Sequence, residues 1–299
     1  MFKWKKVGII AGLSLSLIVA GCGSDDEETE TESAGSMSEE MNYTITGIEP
    51  GAGQTETNEV VMDEYENLEG WEQELSSTGA MLTQLGEAYD NEEPIVISAW
   101  SPHYMFANWD LKFLDDPEEI FVEESFITIA RKGLEADMPE AYALIDRFSW
   151  EISEIEPALL EAQGKDLEQV AIEWVEENPE KIEEWTEGIE PVDGDSVELA
   201  LTTWDSETFI THVAGIVMEQ HGFHVTLTPV DPAVLFEAIS SGDADASLSP
   251  WMPVTHGALY EKHEGEFDDL GENIVGARIG LAVPEYMDID SIEDLEPKE

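Results

Sequence analysis

The chain has 299 residues, enough for one large or two medium domains with cores of their own. It carries 69 acidic against 12 basic side chains, a net charge of −57, which excludes nucleic acid as a partner because phosphates need Lys and Arg. With 42% hydrophobic residues and nine tryptophans, the composition supports a packed core rather than a disordered chain.

Lys3, Lys5 and Lys6 precede the apolar run from Val7 to Ala20. That run falls short of the ~20 residues a helix needs to span a bilayer, so it reads as a signal peptide. It closes on Leu17-Ile-Val-Ala-Gly21-Cys22, which resembles a bacterial lipobox. The expectation is therefore a signal over residues 1–21 and a lipidated Cys22, leaving the protein anchored to the cell membrane on its extracellular face. Two acyl chains on one residue anchor stably where one binds marginally. Cys22 is the only cysteine, so an intramolecular disulfide and a catalytic thiol elsewhere are excluded. Residues 1–21 hold three of the 12 basic residues and none of the 69 acidic ones, so the mature chain would carry −60. Such acidity reads as adaptation to a salty medium, where a screening length of roughly 3 Å at 1 M salt removes the self-repulsion.

Residues 22–41 are acidic and rich in Ser and Thr, and are expected to form a disordered tether. Tyr43 to Ile48 alternates as a strand, and a glycine-rich turn through Gly51 and Gly53 leads into a helical pattern over Glu56 to Tyr65. This order suits an anion at the helix start, where backbone N–H groups point outward, but equally a plain strand-to-helix turn. It is neither a Walker A loop nor a full dinucleotide fingerprint. A helix over Gly79 to Tyr89 precedes a nearly all-apolar strand ending at Trp100, the end where open α/β sheets bind ligands. Helical spacings cover 139–148, 153–162 and 166–177; Pro179 breaks the last, and a helix resumes to Trp185.

Pro191-Val-Asp-Gly-Asp195 reads as the domain boundary. After it the pattern predicts a strand over Val197–Thr202, a loop at Trp204, a helix over Thr208–His221 and a strand over His224–Thr228. A helix over Ala233–Ser240 and strands over Ala246–Leu248 and Ala277–Val283 follow. The alternation indicates an α/β class with mostly parallel sheets in two lobes, residues 42–190 and 195–285. Residues 286–299 start a helix with a cap at Ser291 and Asp294 but leave room for only one turn, so they must lean on the body of the chain.

Trp251 sits between Pro250 and Pro253 with His256 five residues on; Trp100 and Trp204 occupy similar loops. Indole faces beside an imidazole donor suit a ligand with a cationic head and an anionic tail, and equally a core Trp in a turn. Trp71, Trp109, Trp150, Trp174 and Trp185 read as packing residues, and His103 as a buttress for Trp100. His221 and His224 lack a third partner at metal-ligand spacing, so no metal site and no cofactor are expected.

Seven stretches together resemble the glycine betaine/proline betaine-binding lipoproteins of ABC importers, over residues 43–295. They are Gly47-Ile-Glu-Pro-Gly-Ala-Gly53, Trp100-Ser-Pro-His103, Leu111-Lys-Phe-Leu-Asp-Asp-Pro117 and Ala130-Arg-Lys-Gly133 in the first part. Trp204-Asp-Ser-Glu207, Gly242-Asp-Ala-Asp-Ala-Ser247 and Trp251-Met-Pro-Val-Thr-His256 follow. The Gly-Ile-Glu-Pro-Gly half precedes the Trp-Asp half, an order that resembles the circularly permuted branch of the family.

The resemblance implies a type II periplasmic-binding-protein-like fold with a hinge between lobes, closing around the ligand. It implies an ammonium cage of Trp100, Trp204 and Trp251, and a carboxylate clamp of His256 with the amides of Gly53 and Gln54. The implied partners are a small zwitterion and ABC permease subunits, with the protein a monomer and not an enzyme. Choline, carnitine, ectoine and dimethylsulfoniopropionate are alternative ligands, and a non-transport sensor is an alternative role. An enzyme is disfavoured by the lack of Gly-x-Ser-x-Gly, His-Glu-x-x-His and nucleotide-loop motifs.

Overall fold

A computed structural model describes residues 36–298. The expected signal peptide, Cys22 and the tether up to residue 35 lie outside the described residues. In chain order the elements begin with α1 (Met37–Glu40), β1 (Thr44–Thr46), α2 (Gly53–Glu64), β2 (Glu72–Glu74), α3 (Thr78–Asn91) and β3 (Val96–Ser101). Next come α4 (Met105–Asn108), β4 (Leu111–Phe113), β5 (Glu123–Arg131), α5 (Leu134–Asp137), α6 (Pro139–Arg147), α7 (Ile152–Glu161), α8 (Leu167–Glu177) and α9 (Pro179–Thr186). The chain continues with β6 (Ser196–Leu201), α10 (Asp205–Gln220), β7 (His224–Pro229), α11 (Pro232–Ser241), β8 (Ala246–Ser247) and β9 (Trp251–Met252). It ends with α12 (Gly257–Lys262), β10 (Phe267–Pro284) and a 3-10 turn over Ile292–Asp294.

The strands form one mixed sheet in the order β2-β1-β3-β10-β5-β8-β6-β7, with β4 on β10 and β9 on β5. The expected parallel pairing holds at the two ends, β2-β1-β3 and β8-β6-β7. The centre differs. There β10 runs antiparallel to β3, β4 and β5, and β5 antiparallel to β8 and β9. Along β10, residues 278–284 pair with β3 and β4 and residues 267–278 with β5, so this one strand joins the two ends. Three register shifts along its pairing with β5 curl the sheet.

Residues 191–195 do not separate packed bodies, contrary to expectation. The helices before them, α7 and α8, pack on α10 after them. Within the turn, Val192 and Gly194 N–H donate to the carbonyls of His221 and Gly222. A Cβ on Gly222, at φ +99°, would lie 2.1 Å from the Val192 carbonyl oxygen, so the turn is docked on the end of α10 rather than free.

The expected tether also ends earlier than residue 41. Ser36 caps α1, and Met41 enters a buried cluster with Ile45, Val61, Trp71 and Val96. Ile292 and Leu295 belong to that cluster. Glu296 N–H donates to Ser38 Oγ, Trp71 Nε1–H to the Glu296 carbonyl, and Asn67 Nδ2 to the carbonyls of Ile292 and Leu295. The two ends of the described chain thus meet on one apolar patch.

Candidate functional site

Trp100 is the fifth residue of β3, a strand buried along almost its whole length between helical layers. His103 supports it from behind: its ring lies 4.7 Å from the indole, and its Nδ1 accepts the Met105 N–H. Burial pushes the His103 imidazole down to about 3, so it is neutral and a packing residue.

Trp204 is the N-cap of α10 and half-buried. Trp251, on β9, packs its indole 4.3 Å from Phe126 of β5. Its Nε1–H donates to Glu207 Oε1 at 2.6 Å, and its backbone N–H donates to His256 Nδ1 at 2.8 Å. The return loop is tied down by Glu124 of β5, whose carboxyl accepts from Val254 N–H, Thr255 N–H and Thr255 Oγ1–H at 3.0, 2.8 and 2.6 Å. Two buried carboxyl groups, Glu124 and Glu207, therefore fix the loop that carries Trp251.

Opposite this loop, α2 begins at Gly53 with no side-chain cap. Among the described residues, neither Gly53 N–H nor Gln54 N–H finds an acceptor. These are two of the orphan donors of a helix N-terminus, where the dipole favours negative charge. The Gln54 side chain serves a different end, donating to the carbonyls of Ala99 and Gly280 at 3.0 and 2.8 Å and so locking α2 to β3 and β10. A Cβ on Gly53 would come 2.8 Å from the Thr255 carbonyl oxygen, so glycine lets the helix start touch the loop.

These parts converge. Trp100, Trp204, Trp251, Gly53 and Gln54 line one pocket with Ile48, Ala52, Glu207, Thr255 and Ile279. His256 stands just behind the wall, its ring 6.2 Å from that of Trp204. Since Nδ1 accepts from Trp251, the proton sits on Nε2, which is buried without a partner among the described residues. Burial holds this imidazole down to about 4, so it is a neutral donor at physiological pH.

The chain matches the family described as the substrate binding domain of the ABC-type glycine betaine transport system over residues 27–177 and 195–299. It belongs to that family. The glycine betaine/carnitine transport binding protein GbuC of Listeria monocytogenes is 41% identical over 263 residues, 87% of this chain and 88% of that one. Lactococcal OpuAC, crystallised in a closed-liganded conformation with glycine betaine, is 40% identical over 48% of this chain and 57% of that one, at a TM-score of 0.43. An ABC-transporter choline binding protein in complex with choline is 26% identical over 60% of this chain and 61% of that one, at 0.44.

Sequence reasoning on this substrate-binding domain missed Glu207, Thr255 and Glu124. Glu207 lay in the quoted Trp204-Asp-Ser-Glu207 run, and an acid in the first turn of a helix was the available signal. For Glu124 no local signal exists, because its partners lie 130 and 131 residues away. Among the described residues no cluster suited to a metal ion is present.

Proposed function

We propose that the pocket captures a quaternary-ammonium zwitterion of the glycine betaine kind for delivery to an ABC permease. Trp100, Trp204 and Trp251 take the methylated nitrogen, while Gly53 N–H, Gln54 N–H and His256 Nε2–H take the carboxylate. The observation that carries this reading is the meeting, in one pocket, of three indoles with two uncapped helix amides, beside a neutral imidazole donor. A quaternary nitrogen has no N–H to donate, so π faces are its natural partners, each contributing roughly 0.5–2 kcal/mol when desolvated. Three faces fall short of the ~8 kcal/mol of micromolar binding. Charge-assisted hydrogen bonds to the carboxylate supply much of the rest.

Binding needs no bond-making chemistry here, so the role is capture and not catalysis. The joining strand β10 is the natural hinge, with the α2 side and the α10 side closing on the ligand. The carboxylate donors rank betaines above choline, which would leave them unpaired. Carnitine is the second ligand to consider, because the Listeria relative is named for both.

The wider reading is of a monomeric lipoprotein held by Cys22 outside the cell, cut from its signal after residue 21, with an acidic surface fitted to salt. The contact of Ser38 with Glu296 supports a circularly permuted chain order, since permutation requires adjacent ends. Calorimetric titration with trimethylglycine, carnitine, choline and ectoine tests the function. Trimethylglycine or carnitine should bind at micromolar or better, and choline more weakly. Choline binding at least as tightly as both would remove the carboxylate clamp.

A further inference from the structure

Glu207 differs in kind from the rest of the pocket wall. It is 1% exposed, yet it lines the same space as the three indoles. Oε1 accepts the Trp251 indole N–H and Oε2 accepts the Ser206 hydroxyl at 2.7 Å. Among the described residues no Lys or Arg pairs with it.

The titratable groups around it do not neutralise it either. Asp205, from the same helix, adds negative charge. His256, ahead of α12, and His103, after β3, are held neutral by burial. Glu156 of α7 is turned to the Ser101 hydroxyl. Burial pushes the Glu207 carboxyl up to about 7, against the lowering effect of its Ser206 and Trp251 donors and with Asp205 adding to the rise. A carboxyl raised this far takes up a proton more readily than an exposed glutamate does.

An uncharged amide could hold the Trp251 N–H equally well without a buried charge. A carboxyl adds a charge that comes and goes. A cation in the cage favours the carboxylate form, and a carboxylate accepting the indole N–H makes that ring's π face more negative, which strengthens its hold on the cation.

Building on the reading that the ligand carries a quaternary ammonium, we infer that Glu207 is a specificity-determining residue that releases its proton as the cation enters the cage. Its carboxylate then favours cationic heads over neutral ones of the same shape. In the step the O–H bond breaks, the electron pair stays on the carboxylate, the proton passes to solvent, and no bond forms to the ligand. By reciprocity, the proton weakens the ligand as much as the ligand weakens the proton.

The test is calorimetry of trimethylglycine into the full chain at 1 M salt from pH 6 to 8.5, in buffers of different ionisation enthalpy. Proton release per ligand should be largest at pH 6 and fall toward none at pH 8.5, with affinity several-fold weaker at pH 6 than at 8.5. 3,3-Dimethylbutanoate, the neutral-headed analogue, should release none. Glu207→Gln, its fold checked by melting, should bind more weakly at pH 8.5 and lose the pH dependence. Ser206→Ala, which removes a donor to the carboxylate, should move the midpoint to higher pH. Tight binding by the wild type with no proton release and a flat pH profile would overturn the inference alone, as would proton release that persists in Glu207→Gln. A wild type that binds no betaine at any pH would overturn the proposed function and this inference with it.

Discussion

The molecule holds two groups of three tryptophans, and burial alone does not tell them apart: Trp204 of the pocket is half-buried, but its two companions are as buried as the core group. Trp100 and Trp251 of the pocket are 5% and 4% exposed; Trp150 and Trp185 of the helical layer are 4% and 2%. What separates the groups is the company each indole keeps. Trp185 has Trp150 at 5.2 Å, Trp174 at 6.0 Å and Phe148 at 5.1 Å, so its faces and edge are spent on other rings. The pocket indoles come instead from a strand end, a helix cap and a short strand, and they face shared space rather than one another. An indole whose faces meet other rings builds core; one at the end of an element that faces open space builds a site.

Mutation should split the two groups cleanly. The largest effect is expected on stability from Trp185→Ala, a loss of about 3–5 kcal/mol, with betaine affinity in the folded protein within twofold of wild type. A tenfold loss of affinity there would blur the distinction. Trp204→Ala, at a half-buried position, should do the reverse, weakening trimethylglycine at least tenfold, about 1.4 kcal/mol, with a smaller change in melting, and Trp251→Ala should weaken binding as much. Wild-type affinity in both would dissolve the cage.

Gly53→Ala sharpens the comparison at the opposite wall. Its added methyl meets the Thr255 carbonyl at 2.8 Å, so affinity should fall several-fold while the core group is untouched; unchanged binding would show that the walls need not approach so closely.

A different kind of effect concerns pH. His256 is held down from 6.5 to about 4 by burial. Lowering pH therefore protonates the unfolded chain first and removes stability between 6.5 and about 4. The stability difference between wild type and His256→Gln should change across that window by up to about 1.4 kcal/mol per pH unit, the wild type losing ground. A constant difference would mean that the imidazole is not buried neutral. Last, melting temperature should be lower in dilute buffer than in molar salt, because the −57 net charge repels itself. Equal values would remove salt adaptation from the account.

Much of this was legible in the chain because the signals are local. The helices α6 to α9 follow 3.6-residue spacing with Pro179 as punctuation, and the three pocket indoles sit in Pro- and Ser-containing loops that stand out by eye. The glycine-rich turn at Gly51 to Gly53 likewise points to a helix start open to an anion. The centre of the sheet was not legible. The first half of β10, from Phe267 to Gly276, mixes acids and glycines with register shifts, so no period-2 pattern survives. Strand β5 did offer a signal, Ser125 to Ala130, but a single apolar run does not say which strands it joins. The misplaced boundary at 191–195 follows from this: a turn rich in Pro, Gly and Asp looks alike whether it links domains or docks on a helix end. Glu207 and Glu124 reach their partners across 44 and 130 residues, and such pairings exist only once the chain is folded.

The central claim is that indoles from both sides of the joining strand close on one methylated nitrogen. A crystal structure grown with saturating trimethylglycine tests it most directly. The account predicts that nitrogen within about 6 Å of the ring centroids of Trp100, Trp204 and Trp251, with the carboxylate on the Gly53 and Gln54 amides and His256 Nε2. A ligand bound elsewhere, or bound here with its carboxylate among the indoles, would contradict it.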